Sequence, residues 1–177
     1  MIPVGHAGIV LISEKGETSY FDFGRYDRPD LKKKGIKRGG AEGAVRSSKN
    51  YSGLSLPDWD SKKTDKENTT NILTAIHNSP IFKGYGRTMG ALANNVNYGA
   101  MLSYARYAED EGYRAFGGYH NGYDVCSQAT YCAKFARGVG AAGGIDWGWN
   151  TFTGQGNVND IHEDYGTDII TIAPTIK

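Results

Sequence analysis

The sequence predicts an α+β domain in which a small antiparallel sheet packs on a cysteine-bearing helix. Three observations point to it. Strand-forming residues open the chain as two runs joined by a short polar turn. The clear helical patterns come in the second half, and one of them runs on from a cysteine. Glycine and tyrosine are abundant while proline is scarce, which suits a loop-rich mixed domain. With 177 residues the chain can bury a real core as one domain.

The first run, Val4 to Ile12, is aliphatic and β-branched and reads as a buried strand. His6 stands near its start between Gly5 and Gly8. A buried imidazole needs a partner, because an unpaired buried polar group costs free energy. Ser13 to Glu17 is polar with one glycine, a hairpin turn. Thr18 to Phe23 is the second strand. Its Asp22 lies between Phe21 and Phe23, an odd place for a carboxylate without a partner. Antiparallel pairing of the two strands brings Asp22 near His6 in a suitable register; pairing with Arg25 or exposure to solvent are the other readings.

Residues from about 28 to 66 are basic and glycine-dotted and read as a mobile loop, with Ala44 to Ser47 a short strand inside it. Thr69 or Thr70 is placed to cap a helix running through His77, which Asn78-Ser79-Pro80 ends. Tyr98 to Glu111 is the clearest helix, with Met101, Leu102, Ala105 and Ala108 as its apolar stripe and Gly112 to stop it. The loop containing Gly117, Gly118 and Gly122 leads to the cysteine helix, which closes at Gly143-Gly144. Residues 146–167 read as an acidic, loop-rich tail. Asp168 to Ile172 alternates into a last strand.

The net charge is +1, so bulk electrostatics predict no nucleic-acid partner. No apolar run is long enough to span a membrane. A basic-then-apolar leader with a small-residue cleavage site is missing, which predicts a chain that stays cytoplasmic or leaves by a route needing no cleaved signal, or a domain cut from a longer protein.

The two cysteines are Cys126 and Cys132. On a helix their Cα atoms lie about 9 Å apart, too far for a disulfide. Free thiols with a histidine elsewhere in the chain are nucleophile candidates. In Cys132-Ala133-Lys134-Phe135-Ala136-Arg137-Gly138-Val139, the cysteine shares one helix face with Phe135, Ala136 and Val139. With Thr130 as N-cap, the Cys132 thiol sits in the first turn, where the dipole and free N–H groups favour thiolate and can hold an oxyanion. A helix starting near Asp124 instead gives that place to Cys126. A cysteine nucleophile needs a base, and the base needs an acceptor to fix its tautomer. His6 with Asp22 fits best. His120 is an alternative base; His77 and His162 are not placed for the role.

Gly5-His6-Ala7-Gly8-Ile9, Tyr20-Phe21-Asp22-Phe23 and Cys132-Ala133-Lys134-Phe135-Ala136 running to Gly143-Gly144 together resemble the NlpC/P60 and CHAP superfamily of papain-like cysteine hydrolases. The histidine strand precedes the cysteine helix, an order similar to the circularly permuted branch that includes the lecithin:retinol acyltransferase-like proteins. Tyr131 stands where the family commonly has Asp or Asn before the cysteine. The resemblance implies one catalytic domain over 1–177 with Cys132 as nucleophile, His6 as base and Asp22 as orienter. It needs no metal or cofactor. It further implies cleavage of amides in peptidoglycan stem peptides, an effector exported without a cleaved signal to a target periplasm, and an immunity protein as partner. Arg25, Tyr26, Tyr119 and Asn121 are expected to border the cleft, since they leave the elements that carry base and thiol. The alternatives are a lipid or protein acyl hydrolase or transferase of the permuted branch, and a non-catalytic module that binds anionic polymer through the basic loop.

Overall fold

A hairpin organises the molecule. In a computed structural model of the chain, β1 (Gly8–Ile12) and β2 (Thr18–Gly24) pair antiparallel, with Gly8 opposite Asp22 and Ile12 opposite Thr18. The structure describes residues 6–24, 44–51, 53–80, 82–83, 86–111, 132–147 and 154–174. The turn closes where the polar run predicts it: the Ser13 amide donates to the Glu17 carbonyl at 2.9 Å. The expected strand β3 (Ala44–Ser47) adds to the far side of β2, giving the order β1-β2-β3. A second, two-stranded sheet pairs β4 (Thr88–Gly90) with β5 (Ile170–Ile172). β5 falls within the run read as the last strand; β4 was not foreseen.

The four helices among the described residues follow from local signals of differing clarity. Helix α1 (Asp65–Asn78) corrects the expected cap. Thr64, not Thr69 or Thr70, caps it through a box in which the Glu67 amide donates to Thr64 Oγ1 and the Thr64 amide donates to Glu67 Oε2. The Thr64-x-x-Glu67 spacing was legible in the sequence. Thr70 lies one turn inside, its hydroxyl bonded back to the Lys66 carbonyl. Helix α2 (Tyr98–Glu111) has the predicted bounds and buries Met101, Ala105 and Ala108.

Helix α3 (Cys132–Ala142) buries the predicted face of Cys132, Phe135, Ala136 and Val139. It ends in a Schellman motif: the Ile145 amide donates to the Gly140 carbonyl and the Gly144 amide to that of Ala141. Gly144 has φ +92°, a left-handed conformation that favours glycine. Helix α4 (Gly154–Tyr165) corrects the reading of residues 146–167 as loop. Its glycines and asparagines lower helix propensity, but Gly156, Asn157 and Ile161 are buried, and packing outweighs propensity.

The hairpin sheet is covered on both faces. Phe21, Phe23 and Val45 pack with Met101, Ala105, Phe135 and Val139 on one side. Tyr20 packs with Ile72, Leu73, Ile76 and Ile170 on the other. That double cover explains why β2 is buried from Tyr20 to Gly24 without alternation.

Candidate active site

The hairpin register builds the centre of the site. Side chains two apart on a strand share a face, so Tyr20 and Asp22 of β2 point the same way. Gly8, opposite Asp22, has no side chain, and the Tyr20 ring occupies that space. A Cβ on Gly8 would stand 2.5 Å from the Tyr20 hydroxyl. The hydroxyl therefore reaches Asp22 and donates to its Oδ2 at 2.8 Å. His6, two residues before Gly8, brings its Nε2 to the same oxygen, also at 2.8 Å.

Pairing of β2 with β3 supplies the fourth member. Arg46 lies opposite Asp22 in the ladder. Its Nε donates to Asp22 Oδ1 at 3.2 Å and its Nη2 to Oδ2 at 2.6 Å, a two-pronged grip. The guanidinium carbon lies 5.4 Å from the Tyr51 ring centre and 5.9 Å from that of Phe82. Asp22 is 0 % exposed and the His6 side chain 27 %. A carboxylate buried this far persists only with such partners. Burial pushes the Asp22 carboxyl up, but hydrogen bonds from His6 and Arg46, with their charges, hold it below the ordinary carboxylate value.

Cys132, 2 % exposed and in no disulfide, stands at the start of α3 beside Ala7 and Ala133. It is hydrogen-bonded to His6. Because Nε2 is engaged by Asp22, Nδ1 is the ring nitrogen left for the thiol. Burial pushes the imidazole down; the bonds to Asp22 and Cys132, with their charges, overcome it and raise His6 from 6.5 to about 9. Protonated His6 thus lies between two groups that are anionic when ionised. Helix α4 closes the far side: Asn157 Nδ2 donates to the Ala133 carbonyl at 3.1 Å, and Gly154 lies against Ala7 and the His6 carbonyl. His6, Cys132, Ala133, Gly154, Asn157 and Phe82 line one open cleft.

The structure thus brings together three residues singled out from sequence, His6, Asp22 and Cys132. Sequence reasoning missed Arg46 and Tyr20. A charged residue inside Ala44-Val45-Arg46-Ser47 was a usable signal, since a buried strand charge needs a counter-charge. Arg25, Tyr26, Tyr119, Asn121, His120 and Cys126 lie outside the described residues, as does Thr130. His77 is buried, its Nδ1 3.0 Å from Thr88 Oγ1, and His162 lies on α4 with its Nδ1 against the Thr167 carbonyl. Among the described residues no group of His, Cys, Asp and Glu is arranged to hold a metal ion. No described helix is long and apolar enough to cross a membrane.

The chain shares its fold with a known effector. It is similar to the crystal structure of the type VI secretion system effector TseH, with a TM-score of 0.66 over 98 % of this chain and 87 % of that one, at 18 % identity. No curated protein sequence matches it. The family model described as type VI secretion system effector TseH-like matches residues 1–143. That match spans His6 just ahead of β1, the aspartate strand and the cysteine helix, and the chain belongs to the TseH-like family of type VI secretion system effectors.

Proposed function

We propose that this effector is a thiol-dependent amidase of the papain-like, circularly permuted NlpC/P60 type. In this reading it cleaves amide bonds in peptidoglycan stem peptides after delivery into a target cell's periplasm, and an immunity protein protects the producer. One observation carries the reading: a single imidazole hydrogen-bonded through Nε2 to a buried carboxylate at 2.8 Å and also hydrogen-bonded to a cysteine thiol. That is the arrangement a thiol nucleophile, its base and an orienting acceptor require.

The chemistry follows from the assignments. Asp22 accepts the Nε2 proton and fixes the tautomer, so Nδ1 faces the thiol. His6 takes the Cys132 proton, and the thiolate adds to the substrate carbonyl. The tetrahedral intermediate collapses as the imidazolium protonates the departing amine, leaving a thioester. Water, relieved of a proton by Nδ1, then adds to the thioester and releases the carboxylic acid and the free thiol. Arg25, Tyr26, Tyr119 and Asn121 are the proposed contacts to the peptide, since an arginine can grip a free carboxylate.

A second reading draws on one feature of the cleft. Ile72, Leu73 and Ile76 also line it, and an aliphatic wall suits an acyl chain. Mass spectrometry of two digests separates the readings. New amine and carboxyl ends in muropeptides, absent with Cys132→Ala, are the expected outcome. Fatty-acid release from phospholipid with untouched muropeptides gives the acyl hydrolase instead. Product from neither leaves the polymer-binding module.

A further inference from the structure

Asp22 holds more partners than an orienting acceptor needs. Its Oδ2 accepts from His6, from Tyr20 and from Arg46, and its Oδ1 accepts from Arg46 as well. One bond from a ring N–H to an acceptor suffices to fix a histidine tautomer. Arg46 is itself held: its guanidinium lies by the rings of Tyr51 and Phe82, and the next strand residue, Ser47, donates to the buried carboxylate of Glu109 on α2. Asn50 and Arg106 donate to that same Glu109, which ties β3 to α2. The strand carrying Arg46 is thus braced against movement from the helix behind it.

Charge explains what the extra grip does. When the thiol is ionised and His6 protonated, the site carries two anions, Asp22 and Cys132. His6 alone balances one of them. Arg46 adds a second cation, set directly on the fully buried Asp22 carboxylate, where an uncompensated charge is expensive. Among the described residues, the ionisable groups that act on this pair include Tyr20 from β2, Arg46 from β3 and Cys132 from α3. Phe82 and Gly154, which also pack there, bring no charge. On α2, Arg106 donates to Glu109, and Glu109 accepts from Ser47 of β3.

We propose that Arg46 is a positioning residue: its two-pronged grip on Asp22 aims the oxygen that His6 uses and supplies the counter-charge that lets Cys132 ionise. The inference rests on the amidase reading only in naming the cysteine and histidine it serves.

The test needs no substrate. The rate of Cys132 alkylation by iodoacetamide, mapped to its peptide by mass spectrometry, is followed against pH in the full chain. Arg46→Gln removes a cation that grips Asp22, so the thiolate loses counter-charge and the alkylation midpoint moves to higher pH by about one unit. A folded Arg46→Gln protein with the wild-type midpoint overturns the proposal. Arg46→Lys keeps the charge but loses the fork. Its midpoint stays with the wild type while the NMR shifts of the His6 ring nitrogens show a loss of the Nε2–H tautomer at high pH. If the glutamine variant does not fold, this one decides, and a wild-type tautomer in it overturns the proposal. A midpoint shift in a protein that releases nothing from muropeptides upholds the role of Arg46 and sinks the amidase.

Discussion

Each residue of the proposed centre makes a separable prediction. Cys132→Ala removes a nucleophile and few packing atoms, so hydrolysis should vanish while circular dichroism stays native. Cys126→Ala should keep most activity, and the reverse pattern moves the nucleophile to Cys126. Asp22→Asn offers the imidazole a neutral acceptor and confronts Arg46 with an amide. Muropeptide turnover should fall by roughly tenfold to a thousandfold, with some loss of stability. Wild-type rates in that variant would mean that another group orients His6. The same two residues set a pH dependence of stability. His6 holds its proton more tightly folded than unfolded, so its contribution is complete below about 6.5 and lost as pH rises through about 9. Asp22, held below 3.8, contributes above that value and loses its contribution as pH falls beneath it. Melting temperature should therefore decline on both sides, and His6→Gln should flatten the alkaline limb. A His6→Gln protein that keeps the wild-type alkaline decline would place the titrating group elsewhere.

Among the elements, α3 matters most, because it carries the thiol and packs the sheet. Phe135 is wholly buried, its ring centre 6.3 Å from that of Phe23 on the aspartate strand. Phe135→Ala should cost about 3–5 kcal/mol in denaturant unfolding, since it leaves a cavity between thiol helix and sheet. Thr64→Ala removes the cap of α1, which lies at the surface, and should cost only about 1 kcal/mol. Equal losses would mean that the two helices share one cooperative brace, contrary to their separate apolar clusters. Helix α4 shows how an element can escape its own sequence. Val158, Ile161 and Tyr165 recur at i, i+3 and i+7, but Gly154, Gly156 and the asparagines mask that period. Gly154 allows a close approach, abutting Ala7 and the His6 carbonyl.

For the whole molecule, near-neutral charge bears on which partner class fits. Two of the described lysines in the basic stretch have acidic neighbours, Lys63 3.8 Å from Asp60 and Lys66 3.6 Å from Asp168. Affinity for a fluorescent oligonucleotide should be weak with a shallow salt slope. Tight binding that falls steeply with salt, as counterion release dictates, would favour the polymer-binding module.

Local pattern was enough for the hairpin, the bounds of α2, the buried face of α3 and its glycine stop, because alternation, helical period and turn chemistry act over a few neighbouring residues. The same local logic singled out His6, Asp22 and Cys132: each is a polar or reactive group in a segment otherwise built for burial. Register was beyond it. That Asp22 meets His6 rather than solvent depends on Gly8 falling opposite it, and that Arg46 completes the cluster depends on β3 returning to β2 across residues 25–43. The covering of His6 and Cys132 by α4 depends on a contact between the two ends of the chain. Such pairings join residues far apart in sequence, where no periodicity links them and the burial of a whole core selects among registers. The chain therefore declares which side chains need partners, and long-range packing chooses the partners.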